Sequence, residues 1–170
     1  MTAWEFLDST ELHHGKNLVG VDTLNQYPVT ALYFSAHWCP PCKVFTPKLI
    51  KFYNRVNAAN KQLEIVFISA DQAEDEFHMY YFGEDPDEEE EDLEAMPWTA
   101  VKFDEEKLSE ISSEFDIGAI PTLLIVNSEG KVANPSDFST KKHVTEVNDL
   151  SDAQIQEAFG QWKKAAQDLQ

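Results

Sequence analysis

Cysteine is nearly absent from this chain: Cys39 and Cys42 are the only two in 170 residues. A disulfide-stapled scaffold of the small secreted type is therefore excluded. Basic residues are scarce too. Lys and Arg number 13 against 31 Asp and Glu, giving a net charge of −18. That field repels a phosphate backbone, and no basic stripe offsets it, so nucleic acid and anionic membrane are not expected partners. A cationic small molecule or a basic protein is favoured instead. No window reaches the roughly 18 apolar residues that a membrane-spanning helix needs. The opening residues, MTAWEFLDSTELHHGK, show no basic segment followed by an apolar run, so no secretory signal is expected. Together these absences favour a reducing compartment, most simply the cytoplasm.

What is present is globular. Hydrophobic residues make up 42% and aromatics 12%, enough for one domain over 1–170 with a sizeable core. A monomer is expected. Residues 17–26 read as an opening strand and turn. The runs at 29–36 and 63–70 are near-continuous apolar stretches, rich in β-branched and aromatic residues, as suits central strands buried on both faces. From Pro40 the pattern turns helical and extends to about Ala59, with a kink expected at Pro47. Residues 73–82 and 105–115 read as further helices. Between 83 and 95 lies an insertion with nine acidic residues from Glu84 to Glu94, which repels itself and reads as a solvated loop. Residues 122–127 are a third apolar strand, followed by a turn at 128–131. A capping box, Ser151 with Gln154, opens a last helix, with Leu150 and Ile155 as its hydrophobic staple. Ile155, Phe159, Trp162, Ala166 and Leu169 give that helix one apolar stripe. Strands alternating with helices, then a hairpin and a final helix, predict an α/β fold with a mixed central sheet.

The two cysteines fall in YFSAHWCPPCKVFTP, residues 33–47, where a buried strand hands over to a helix. Unpaired N–H groups and the helix dipole favour an anion there, which favours the attacking thiolate at Cys39. Cys42, one turn inside, is expected to stay protonated until it resolves a mixed disulfide. Positions three apart on a helix share a face, within disulfide reach. Pro40 and Pro41 fit the first helical turn, which has no internal use for their missing N–H groups. Three readings compete at this point: a redox couple, half of a zinc site, and two inert buried thiols. Zinc needs about four ligands, and the five histidines supply no second pair at finger spacing. His37 and Lys43 flank the pair, either as cations that favour a thiolate or as solvent-facing side chains. Trp38 is either a packing aromatic or part of a docking surface.

A second stretch, GAIPTLLIV at 118–126, places Pro121 just before a strand. A cis bond between Ile120 and Pro121 would aim the Ile120 backbone outwards, beside the cysteines, to pair with an extended substrate.

WCPPC after a strand, followed by IPT about 80 residues later, resembles the thioredoxin superfamily. The segments YFSAHWCPPCKVFTPKLIKFY, VFISAD, YY, MPW and FDIGAIPTLLIV resemble its tryparedoxin and nucleoredoxin subfamily, over about residues 18–132. The resemblance implies a thioredoxin-like fold, with a central mixed β-sheet flanked by helices on both faces. It also implies a thiol–disulfide oxidoreductase without a bound cofactor. Such proteins take electrons from trypanothione, a polyamine dithiol, or from a glutathione-like thiol. They pass them to peroxiredoxin-type peroxidases and other protein disulfides. On this resemblance Cys39 is the nucleophile, Cys42 the resolving thiol and Pro121 the cis-proline. Trp38, Pro40, Pro41 and Ile120 line the docking surface, and Asp71 assists proton transfer to Cys42 or caps the helix at 73–82. The chain departs from the subfamily at His37, Lys43, Ala70 and the acidic insertion. Thioredoxin's buried acid, six positions before the nucleophile, is Tyr33 here. An alternative function is a redox-responsive binding module whose acidic block recruits a basic partner.

Overall fold

The computed structural model describes residues 2–8, 10–84, 94–133 and 135–169. Seven strands and six α-helices appear among them. In chain order they are α1 (Ala3–Leu7), β1 (Leu12–His14), β2 (Asn17–Val19), β3 (Val29–Ser35), α2 (Pro40–Val56), β4 (Leu63–Ser69) and α3 (Glu74–Phe82). Then follow β5 (Thr99–Val101), α4 (Glu105–Glu114), β6 (Thr122–Val126), β7 (Val132–Ala133), α5 (Thr140–Thr145) and α6 (Asp152–Gln167). The acidic insertion lies, apart from its ends, outside the described residues.

The strands form one mixed sheet in the order β2-β1-β5-β4-β3-β6-β7. β3 pairs parallel with β4 in register from Val29↔Leu63 to Ser35↔Ser69, and antiparallel with β6. All seven residues of β3 and of β4 are buried, as their unbroken apolar runs require. Side chains alternate across a strand, so β3 feeds two cores. Val29, Ala31 and Tyr33 join the core that holds residues of α2, α3 and α6. Leu32 and Phe34 join the other, with residues of α1 and α4. Helices therefore cover both faces, as expected.

Several sequence expectations change in detail. The strand expected at 17–26 is only Asn17–Val19, followed by a 3-10 helix at Val21–Gln26. It forms a hairpin with β1, closed through Gly15 at φ +62°, a conformation that glycine adopts without a steric penalty. The α2 helix is continuous from Pro40 to Val56 and carries Pro47 inside it. It also stops three residues short of Ala59. The turn after β6 uses Gly130 at φ +83°, where an added Cβ would come within 2.7 Å of the Trp4 ring. Backbone conformation and packing therefore both demand glycine there. The last helix carries the Ser151–Gln154 capping box in full. Its Trp162 is completely buried, stacks on Phe52 at 4.9 Å and donates to His143 Nδ1 at 2.9 Å. Among the described residues, no helix is long and apolar enough to cross a membrane.

Candidate active site

In a sheet with a parallel centre, ligands gather at the carboxyl ends of the strands. Here β3 ends at Ser35 and β4 at Ser69, and their tails stay linked: the Ala70 N–H donates to the Ser35 carbonyl at 2.9 Å. The segment after Ser35 turns sharply into α2, with Cys39 as the N-cap and Pro40 and Pro41 as the first two helical residues. The Cys39 N–H donates to the Ala36 carbonyl at 3.2 Å. The Cys39 sulfur accepts from the Cys42 N–H at 3.4 Å, taking the place of the hydroxyl or carboxylate oxygen usual at an N-cap. A helix start of this kind needs an acceptor, and a sulfur anion is a better one than a neutral thiol.

Both cysteines are free thiols and both are buried, Cys39 at 5% exposure and Cys42 at 0%. They pack in a small cluster with Ala36, and Ala70 and Ile120 lie against it. The peptide bond between Ile120 and Pro121 is cis. Ile120 is half-buried and Pro121 buried. Burial pushes the Cys42 thiol up to about 11, reinforced by its hydrogen bond to Cys39; contacts from the Ser35 hydroxyl and the Ala36 backbone oppose the rise. Cys42 thus stays protonated at neutral pH.

Around the pair the surface is apolar and open. Trp38 is 52% exposed and Val44 63%, with Pro40 and Pro41 exposed between them. The Trp38 indole is tethered, its Nε1 donating to the Ala70 carbonyl at 3.1 Å. His37 is half-buried, its ring edge-on to Tyr80 with centroids 5.9 Å apart. Lys43 is exposed on the first turn of α2, and its N–H donates to the Cys39 carbonyl at 3.1 Å.

Asp71 departs from its expected role as a helix cap. The N-cap of α3 is Ala73, so Asp71 does not cap that helix. Its Oδ1 accepts from the His37 N–H at 2.7 Å and its Oδ2 from the Ser69 hydroxyl at 2.7 Å. Both carboxylate oxygens are thereby engaged with the loop before Cys39 and with the end of β4, not with Cys42. Asp71 is a clamp that pins the two strand ends together. Burial raises its pKa above the usual carboxylate range, held back by the Ser69 and His37 hydrogen bonds. A carboxyl group raised in this way favours the folded state while protonated. Its contribution is full below the unfolded value of about 3.9 and is lost as pH rises through the folded one. Asp71→Asn keeps an acceptor for the His37 N–H and removes the charge. The stability of the natural protein relative to this variant should therefore fall as pH rises from about 3.5 to 7, read by urea unfolding at each pH. A constant difference would show that the carboxyl does not ionise against its burial.

Several functional neighbours carry no sequence signal of their own. Ser35, Thr46, Ser69 and Tyr80 all gather behind Cys42 or beside Asp71 through hydrogen bonds that span up to 45 residues of sequence. Only the position of Ser35 at the end of an apolar strand, next to the Cys39 turn, marks it in advance.

The profile of a family described as Thioredoxin-like matches residues 27–132. A tryparedoxin from Trypanosoma brucei brucei is 43% identical over 99 residues, covering 58% of this chain and 60% of that protein. The probable nucleoredoxin 1 of Arabidopsis thaliana is 30% identical over 138 residues, covering 81% of this chain but 22% of that protein. The chain thus spans between about a fifth and three fifths of the curated relatives it matches. The solved structure of tryparedoxin II complexed with glutathionylspermidine superposes with a TM-score of 0.64 at 30% identity, covering 85% of this chain and 90% of that one.

Proposed function

This chain belongs to the thioredoxin-like family, to its tryparedoxin and nucleoredoxin branch, and from that premise we propose that it is a thiol–disulfide oxidoreductase working through Cys39 and Cys42. The observation that carries the reading is the Cys39 sulfur at the N-cap of α2, with the protonated Cys42 thiol one turn behind it. The Cys39 thiolate attacks a substrate disulfide, one substrate sulfur leaves as a thiolate, and a mixed disulfide forms. Cys42 then attacks Cys39, the mixed disulfide breaks, and the second substrate sulfur departs with the Cys42 proton. The protein is left with a Cys39–Cys42 disulfide, having given two electrons to its substrate. An external dithiol reverses the sequence and returns it to the dithiol state. Sulfur exchange of this kind needs no metal and no bound organic cofactor.

Substrates dock on the rim made by the exposed Trp38, Pro40 and Pro41 and the half-buried Ile120, with His37 and Lys43 tuning which partner approaches. Rigid aromatic and proline surfaces of this kind bind with little loss of side-chain freedom. The reductant is a cationic low-molecular-weight dithiol of the trypanothione type. Two facts support this choice: the net charge of −18, which attracts a polyamine conjugate over long range, and the glutathionylspermidine bound by a related protein. Peroxiredoxin-type peroxidases and other disulfide proteins in the cytoplasm receive the electrons. The test is a kinetic comparison of trypanothione, glutathione and thioredoxin reductase as electron donors, over a range of salt. Trypanothione should reduce the protein fastest, with an advantage that shrinks as salt rises. A strong preference for thioredoxin reductase would overturn the assignment of reductant.

A further inference from the structure

Resting on the thiol–disulfide reading above, we propose that the Ser35 hydroxyl is the group that serves Cys42 in the resolving step, directed by a buried chain of hydroxyls from Tyr80, Thr46 and Tyr33. Ser35 is the last residue of β3 and is completely buried. Its hydroxyl holds the Cys42 pKa down against the effect of burial, and its Oγ lies 2.6 Å from the Tyr80 OH. The Tyr80 OH in turn meets the Thr46 hydroxyl, which lies 2.7 Å from the Tyr33 OH. Four hydroxyls from β3, α2 and α3 thus run in a line behind one thiol. Tyr33 occupies a central position of this largely apolar strand, and burying so many polar groups is costly unless each is satisfied.

The chain can serve either state of the sulfur. A hydroxyl both donates and accepts. While Cys42 is a thiol, its S–H is directed to Cys39, and the Ser35 hydroxyl acts as a donor towards the sulfur, opposing the rise that burial causes. When Cys42 becomes a thiolate, the hydrogen bond from Ser35 strengthens, and the Ser35 oxygen is free to accept from the Tyr80 OH. The Thr46 hydroxyl meanwhile keeps its hydrogen bond to the Cys42 carbonyl, at 2.9 Å, which fixes the far end. A thiolate in this pocket is opposed by burial and by the neighbouring Cys39 sulfur, so a donor held in place that binds the anion more strongly than the thiol lowers the barrier to attack. The step balances without another reactant. The Cys42 thiolate bonds to the Cys39 sulfur, the bond from Cys39 to the substrate breaks, and the departing sulfur takes the electron pair. It then collects the proton that Cys42 released. The side-chain hydrogen bonds of Asp71 go to Ser69 and His37, whereas Ser35 acts on Cys42 itself.

An aromatic disulfide with a coloured thiolate product separates the steps in a single turnover of the full chain. The first equivalent of colour reports attack by Cys39, and the second reports displacement by Cys42. Ser35→Ala should slow the second phase by about tenfold, the loss expected when a hydrogen bond to an anion is removed. The midpoint of its pH profile should move upward. Ser35→Thr, which restores the hydroxyl on a residue suited to a strand, should recover both. Tyr80→Phe should shift the second phase in the same direction by a smaller factor. A second phase in Ser35→Ala with the natural rate and midpoint would overturn the proposal. So would equal slowing of both phases that Ser35→Thr fails to rescue, which would mark Ser35 as structural only. Absence of a second phase in the natural protein would instead defeat the underlying thiol–disulfide reading.

Discussion

Cys39→Ser should abolish disulfide reduction, lowering turnover by about a thousandfold or more. The size of the effect follows from chemistry, not from folding. Cys39 is the N-cap of α2 and accepts the Cys42 N–H through its sulfur. Serine is among the preferred N-cap residues, and its oxygen can accept the same hydrogen bond. The substitution therefore preserves the helix start, the two prolines behind it and the Trp38 rim. What it removes is a sulfur that can form a bond to another sulfur. Thermal unfolding should show the variant to be about as stable as the natural protein, while an insulin-type disulfide reduction assay shows no turnover above background. A stable variant with full activity would place the chemistry elsewhere.

The second large effect is expected at Cys42. Cys42→Ser leaves Cys39 able to attack but removes the thiol that completes the exchange. Resolution then depends on free thiol from solution. A neighbouring thiol one helical turn away acts at an effective concentration far above that of a dissolved one, so resolution should slow by about a hundredfold or more. The variant should accumulate one mixed disulfide per chain, at Cys39, with any protein or small-molecule disulfide that docks on the Trp38 rim. Added dithiol should release the adduct. The result separates the two cysteines in a way that loss of activity alone does not, because an inert pair of buried thiols would give neither adduct nor turnover.

The parts of the fold that could be read in advance are those with a strong local signal. The fully buried strands β3 and β4 and the largely buried β6 announce themselves as mainly apolar runs, since a strand covered on both faces has few polar positions to interrupt it. The last helix is marked by its Ser151–Gln154 capping box and by the stripe from Ile155 to Ala166. The elements that escaped are short. Each strand of the β1–β2 hairpin has three residues, and neither is fully buried, so there is no alternation to detect. β5 is also three residues long and exists because β4 and β1 pair with it on either side. The first helix has five residues, below the length at which periodicity is visible, although Thr2 and Glu5 form a capping box that could have marked it. Pro47 lies inside the second helix, flanked by the buried residues Phe45, Thr46, Leu49 and Ile50.

The site divides along the same line. Cys39, Cys42, Pro40 and Pro41 are contiguous, and the strand-to-helix junction alone places them. Pro121 and Ile120 come from a second motif, and only the pairing of β3 with β6 brings them to the cysteines. The clamp of Asp71 onto His37 and the hydroxyl chain from Ser35 to Tyr33 were not legible. Their members lie far apart in sequence, and a lone serine or tyrosine in an apolar run is indistinguishable from a packing residue. Tertiary contact converts them into partners.

The proposed reaction requires unequal roles for the two sulfurs, and one measurement reaches this directly. The Cys42→Ser variant is incubated with glutathione disulfide, freed of excess reagent, and examined by mass spectrometry of the intact chain and of its peptides. A single glutathione adduct should be found on Cys39, persisting in the variant and absent from the natural protein, which instead shows an internal Cys39–Cys42 disulfide. An unmodified Cys39, or an adduct that the natural protein retains equally well, would contradict the assignment of Cys39 as nucleophile and Cys42 as resolving thiol.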